Sequence, residues 1–408
     1  IWKTCNTLIK YYICPIIIFK PMRKISLLFV CLFAINFAKA QENVITTAVP
    51  FLLVSADARS AGMADNGVAS SADSYSQQWN PAKYAFAIEK TGFSISYTPY
   101  LTDLVNDISL GQLNYYNRVN ERSAFAGSFR FFGLGDIELR ENADDQPRVV
   151  SPSEFAFDGS YSLKLSDKFS MAVGARYINS NLKVASDVGD ASSASAFAID
   201  VAGFFQTEEL PFSDFNGRWR AGFNIQNLGP KLSYDNTEFS SNFLPANLKL
   251  GGGFDFILDD YNKVAVNLEI SKLLVPTPQD PDLNGDGTIT PDERNQNNQD
   301  YQSIGWLQGA LQSFSDAPGG FSEELKEITY SLGTEYLYQD SFALRAGYFH
   351  ENKDKGARQF FTLGAGFRYN VVKVDVSYLF STSKVKNPLE NTLRFSLTFN
   401  IGDKYDEY

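Results

Sequence analysis

Residues 57–86 read DARSAGMADNGVASSADSYSQQWNPAKYAF. The stretch is rich in Ala, Ser, Gly and Asp, and it shows neither the alternation of a strand nor a steady helical stripe. Within it stand costly residues: Arg59, Met63, Trp79 and the tripeptide Asn80-Pro81-Ala82. Small side chains allow close backbone approach, Gly62 and Gly67 tolerate positive φ, and Pro81 fixes its own φ while restricting Asn80. Such a segment is built to fold compactly against something else. A long series of strands follows it, so the expected surroundings are the inside of a barrel.

Period-2 alternation recurs from residue 92 onward, as in Phe93-Ile95-Tyr97, Met171-Val173-Ala175-Tyr177 and Val264-Val266-Leu268-Ile270. Leu393-Phe395-Leu397-Phe399-Ile401 alternates without a fault against Thr392, Arg394, Ser396, Thr398 and Asn400. One face is apolar and the other polar, the pattern of a two-sided sheet. Segments starting near residues 92, 108, 123, 154, 169, 196, 218, 246, 263, 328, 342, 358, 372 and 391 predict about fourteen strands, each near the length a tilted strand needs to cross a bilayer. Connections after even strands are mostly tight, such as Ser166-Asp167-Lys168 and Asn370-Val371. Those after odd strands are mostly long, above all Pro276 to Glu327. Alternating short turns and long loops are the habit of an outer-membrane barrel, with both termini periplasmic and long loops extracellular. A soluble sandwich shares the alternation of residues but seldom the alternation of loop lengths.

The chain opens on Ile1, and Met22 offers a better start. Residues 1–21 are then an upstream translated region and residues 22–40 a signal peptide: Arg23 and Lys24 precede an apolar run from Ile25 to Phe37, and Ala38-Lys39-Ala40 makes the cleavage pattern. Residues 41–91 form the plug, 92–402 the transmembrane barrel and 403–408 an acidic tail. Cys5, Cys14 and Cys31 all precede the cleavage point, so the mature chain has no disulfide. A lone histidine, His350, excludes a multi-His metal site. A net charge of −11 argues against nucleic acid, while 34 Phe and 21 Tyr in an exported acidic chain suggest aromatic girdles at a membrane boundary. No Ser or Cys nucleophile motif and no spaced pair of carboxylates points to catalysis. Gly251-Gly252-Gly253 lies within a strand and marks close backbone approach, not a phosphate loop.

Residues 282–293, DLNGDGTITPDE, match the twelve-residue calcium loop. Asp282, Asn284 and Asp286 take positions 1, 3 and 5, Gly287 makes the turn, Thr288 offers its carbonyl, Thr290 takes position 9 and Glu293 position 12. Pro276, Pro278 and Pro281 rule out an entering helix, so the expectation is a lone structural calcium in an outer loop. The competing reading is a polar surface loop with Gly-rich turns. Beyond it, Ile304, Leu307, Leu311 and Phe314, with Trp306 beside them, predict a short amphipathic helix that either folds onto the barrel rim or docks a partner protein.

The cleaved signal, the small-residue plug with Asn80-Pro81-Ala82 and about fourteen strands resemble the FadL superfamily of outer-membrane barrels, in which that tripeptide belongs to an N-terminal hatch. Ala-Arg-Ser-Ala-Gly-Met at 58–63 and Gln-Trp-Asn-Pro-Ala-Lys-Tyr at 78–84 resemble, more narrowly, the PorV (LptO) family of the type IX secretion system. That resemblance implies a plug motif of Arg59, Gly62, Met63, Trp79, Asn80, Pro81 and Ala82. It also implies partners: a translocon barrel of the SprA or Sov type, the C-terminal signal domains of cargo, a surface attachment complex and outer-membrane lipid. No cofactor is required beyond the candidate Ca²⁺. The competing function is a FadL-like passive channel for hydrophobic small molecules.

Overall fold

The computed structural model describes residues 44–102, 104–105, 107–140, 146–182, 193–234, 241–385 and 387–405. The expected upstream region and signal peptide, and residues 41–43 and 406–408, lie outside the described residues. Fourteen long strands run antiparallel in chain order and close on themselves. They are β1 (Glu89–Pro99), β2 (Ile108–Arg118), β3 (Ser123–Leu134), β4 (Ser153–Ser166), β5 (Phe169–Asn181), β6 (Ala194–Gln206) and β7 (Asn216–Leu228). The second half comprises β8 (Asn247–Ile257), β9 (Asn262–Leu273), β10 (Thr329–Tyr338), β11 (Phe342–His350), β12 (Gln359–Tyr369), β13 (Val372–Ser381) and β14 (Leu393–Lys404). β14 pairs with β1, Phe395 opposite Tyr97, and β7 pairs with β8, Ile225 opposite Leu248, so no long edge is left open. The predicted starts fall within a few residues of these, because side-chain alternation is the signal both for a strand and for its ends.

The barrel is inside-out relative to a soluble protein. Phe93, Ile95, Tyr97, Phe157, Phe197 and Leu344 face outward and are exposed, while Ser94, Ser96, Thr98, Asp158, Arg176 and Asp200 are buried in the lumen. Lipid is the solvent for the outer face, and every strand's backbone is satisfied by its neighbours. Outward rings stack laterally: Phe129, Phe155, Tyr177 and Phe197 form a ladder across β3 to β6, with centroids 5.2–6.1 Å apart.

Before β1 the chain threads the lumen. A 3-10 turn (Pro50–Leu53) is followed by α1 (Ala58–Ala61), α2 (Ser76–Trp79) and a second 3-10 turn (Pro81–Phe86). Phe51, Leu52 and Ala56 pack on Leu110, Phe132, Ile178 and Leu244, forming an apolar cluster at the long-loop end of the lumen. Strand parity places both chain ends at the short-turn end. That holds for the start of β1 and the end of β14, whereas Val44 to Thr47 line a cavity at the long-loop end, because the plug crosses the lumen first.

The long connection between β9 and β10 carries α3 (Pro291–Ser303), α4 (Trp306–Gln312) and α5 (Phe321–Glu324). α3 starts after Thr290, whose hydroxyl accepts from the Glu293 amide while the Glu293 carboxylate accepts from the Thr290 amide, a capping box reinforced by Pro291 at the first helical position.

Candidate functional site

The plug is fastened to the wall by charges that the lumen hides from water. Arg59 in α1 donates to both oxygens of Glu335 on β10, at 3.1 and 2.7 Å, and to Asp73 of the plug at 2.7 Å. Glu335 also accepts from Arg345 on β11 at 2.7 Å, and Arg345 lies 2.8 Å from Asp375 on β13. Charges alternate in sign along this row, so each ion in low dielectric has a partner. On the adjacent strand, Glu269 of β9 accepts from the backbone N–H groups of Gly67 and Val68 at 2.8 and 2.9 Å, and Lys249 of β8 holds the same carboxylate at 3.2 Å. Lys249 also lies over the Trp79 ring, 4.3 Å from its centroid.

The remaining plug residues explain their own identities. Trp79 donates from Nε1 to Asp57 at 2.7 Å, and Asp57 caps α1 through the Ser60 amide. The Asn80 amide donates to the carbonyls of Val68 and of Gly203 on β6, both at 3.0 Å, while its oxygen accepts from the Ala82 amide at 3.1 Å. One side chain thus ties two plug segments to the wall, and Pro81 then opens the second 3-10 turn. Ser170 on β5 donates to the Ala82 carbonyl at 2.7 Å. Met63 and Ala64 press against Gly333 on β10 and Gly347 on β11, and Gly62 meets Gly364 on β12 backbone to backbone. Gly251 and Gly253 face Ala69 of the plug, whereas Gly252 faces outward into open space, so the glycine run does mark close approach.

Two cavities flank the plug. One, of about 620 Å³, opens at the short-turn end and is lined by charges that include Arg59, Asp73, Arg220, Asp255 and Lys373. The other, of about 470 Å³, lies at the long-loop end between Leu53, Val54, Trp79, Tyr100, Phe349 and Arg358.

The loop after β9 is pinned by a buried cluster that sequence reading missed. Lys272 on β9 holds Glu324 and Glu327 at 3.0 and 2.7 Å, and Lys355 in the loop after β11 holds Glu327 and Glu323 at 3.0 and 2.5 Å. Burial alone raises the Glu323 carboxyl, but the hydrogen bond from Lys355 and the Gly319 amide outweigh it and leave it below its ordinary value. The signal was a run of Glu at 323, 324 and 327, which reads as a solvated face until its lysines are known.

At the calcium-type loop, Asp282 accepts from the Gly285 and Gly287 amides, both at 2.8 Å, Asn284 from Asp286 at 2.8 Å and Asp286 from Thr288 at 2.7 Å. Gly285 and Gly287 take positive φ, 73° and 81°. The chain enters the loop extended and leaves it in α3, so the expected missing entry helix is missing among the described residues. The Thr290 backbone and hydroxyl hold Glu293 Oε2 and lower that carboxyl, while Glu293 Oε1 is enclosed without a hydrogen bond. Among the described residues no three acidic side chains converge as metal ligands, Asp282, Asp286 and Glu293 included. The oxygen donors suit Ca²⁺ by type and order, and Asn284 and Asp282 both act on the Glu293 carboxyl across the loop.

Trp306, Leu307, Leu311 and Phe314 lie on or beside α4, and of these only Trp306, half-buried, is on the face by which the helix is seated. Gly309, Ala310 and Ser313 are buried, while Leu307, Leu311 and Phe314 are exposed.

No curated protein matches the chain. Similar solved structures include the Pseudomonas putida toluene transporter TodX, 11% identical with a TM-score of 0.47 over 84% of this chain and 97% of that one. A Pseudomonas aeruginosa FadL homologue is 12% identical with a TM-score of 0.42 over 88% and 99%. The CymD monoaromatic hydrocarbon channel is 13% identical with a TM-score of 0.44 over 87% and 99%. No function follows from likenesses this distant. The family model described as type IX secretion system protein PorV matches residues 37–280, which span the plug and the first nine strands. The chain belongs to the PorV family of type IX secretion system proteins.

Proposed function

We propose that this barrel is a secretion adaptor of the outer membrane, a carrier of proteins with no catalytic role. It binds the translocon barrel at its lateral opening, receives cargo through the C-terminal signal domain and passes it to the surface attachment complex. The observation that supports this most is the plugged lumen: a plug tied to β10, β9 and β6 through Glu335, Glu269 and Asn80 leaves partner exchange to the outer surfaces. The long-loop end offers such a surface, where the Lys272 and Lys355 cluster pins the last turn of the β9–β10 connection through Glu323, Glu324 and Glu327. In this reading the short turns face the periplasm and the long loops the exterior, where the 282–293 loop takes a single structural Ca²⁺ through Asp282, Asn284, Asp286, Thr288, Thr290 and Glu293.

A passive channel for hydrophobic small molecules is the second reading. The cavity of about 470 Å³ at the long-loop end favours it, being within the size range of small-molecule pockets. A mild-detergent pull-down of the tagged protein from native outer membranes, read by mass spectrometry, separates the two. The adaptor predicts recovery of a very large barrel and of exported proteins that share a C-terminal domain. Recovery of this barrel alone with a bound apolar ligand would replace the adaptor with the channel.

A further inference from the structure

Parity identifies the lipid side of the wall beneath α4. Trp219 and Ile225 on β7 and Leu248 and Leu250 on β8 share one face, while Arg220, Asn224 and Lys249 share the lumen face. Trp219 and Leu250 are 53% and 42% exposed, as lipid-facing residues are throughout this barrel. Ala310 of α4 is buried with Ala246 and Leu274, and the residues packed against that cluster are Ile225, Leu228 and Leu248. α4 therefore packs through Ala310 against the outer side of the wall at the long-loop end of β7 and β8.

At 100° per residue α4 has three faces. Half-buried Trp306 with buried Gly309, Ala310 and Ser313, at i, i+3, i+4 and i+7, forms the seated face, and a Cβ on Gly309 would come within 2.6 Å of Pro276, so the close approach there depends on glycine. Leu307, Leu311 and Phe314, spaced i, i+4 and i+7, form an apolar flank that is 55%, 70% and 50% exposed. Gln308 and Gln312 form the exposed polar flank on the other side. A helix backed on an outer wall, with one apolar and one polar flank, has the arrangement of a helix lying at a lipid–water boundary.

We propose that α4 is an interfacial anchor whose Leu307–Leu311–Phe314 flank rests among the acyl chains of the surrounding leaflet, tying the β9–β10 loop to the membrane surface beside the barrel. Continuity identifies the occupant: the helix that carries the flank is seated through Ala310 on the outer face of β7 and β8, which is already lipid surface. Side chains that the sequence offers to a partner protein are thereby assigned to lipid. The inference rests on the barrel being membrane-embedded and not on the adaptor reading, so each can fail alone.

No cysteine follows Cys31, so single labels can be placed at will. The test inserts Leu311→Cys, Gln308→Cys and, as a lipid-facing control, Leu250→Cys barrels into bilayers, labels each with a polarity-sensitive fluorophore and adds lipids carrying a doxyl quencher high on the acyl chain. The label at 311 is expected to be quenched about threefold or more beyond that at 308. Equal or absent quenching at 311, in barrels that still migrate as heat-resistant folded species, overturns the proposal. So does shielding of the 311 label from aqueous iodide in native outer membranes but not in lipid alone, which would mark a protein partner.

Discussion

Arg59 of the plug and Glu335 of β10 meet in a two-pronged ion pair, 3.1 and 2.7 Å long, with both side chains almost wholly sealed from solvent. They stand 276 positions apart in the chain. The pair is the junction between the plug's own charge, Asp73, and the wall's, Arg345 and Asp375.

Arg59→Ala takes from Glu335 and Asp73 the cation they share, leaving Glu335 with Arg345 alone, and breaking a buried pair in this way costs about 3–5 kcal/mol. The expected result is a lower unfolding temperature of the heat-resistant band and a plug open to protease. Combining Arg59→Leu with Glu335→Leu removes one of the two stranded carboxylates, leaves Arg345 paired with Asp375, and should restore part of the loss. An unchanged melting temperature for Arg59→Ala would show that the plug is held by other contacts.

Glycine positions supply a matched comparison. A methyl group on Gly347 would meet the Met63 carbonyl carbon at 2.4 Å and the Ala64 nitrogen at 2.6 Å, both backbone atoms that cannot turn aside. Gly347→Ala should therefore displace the plug and cost about 1–3 kcal/mol. Gly252→Ala adds its methyl where nothing lies within 4 Å and should melt like the parent. Thermal unfolding of the two variants side by side checks the contrast.

Calcium titration tests the 282–293 loop. With terbium luminescence as the readout, the parent should bind with a Kd of about 10⁻⁴–10⁻³ M, the range of weak extracellular sites. Glu293→Gln should weaken that binding about tenfold or more, since a bidentate carboxylate closes such sites. Barrel unfolding should not change, because the loop lies outside the wall. Equal binding by parent and variant would leave Glu293 as a helix cap alone.

Acid should loosen the β9–β10 loop before it touches the barrel. The Glu323 carboxyl sits below its ordinary 4.5 because Lys355 and the Gly319 amide favour its charged form despite burial. A group depressed on folding contributes stability that is full above its unfolded value and is lost as pH falls through the folded one. Hydrogen exchange across residues 315–328 should thus be slow at pH 6 and faster from about pH 4.5 downward. Glu323→Gln should show fast exchange at both.

The sequence by itself determined the strands, their alternating faces and the existence of a plug, because each is a local property. Whether Phe395 points to lipid and Ser396 to the lumen follows from a period of two and from which solvent lies on each side. Asn80-Pro81-Ala82 likewise announces a tight, specific turn from three adjacent residues. What only the tertiary structure decided is which inward residues meet. Nothing in Asn267-Leu268-Glu269 says that Glu269 receives the amides of Gly67 and Val68, and nothing in Thr334-Glu335-Tyr336 names Arg59. Those meetings depend on how fourteen registers add up when the sheet closes. The same holds for α4: its apolar stripe is plain in the sequence, but its seat on the outer side of β7 and β8 is set by Ala310 against Ile225 and Leu248. A strand's two faces are written residue by residue, while the partner across a lumen is chosen by the geometry of the whole closed wall.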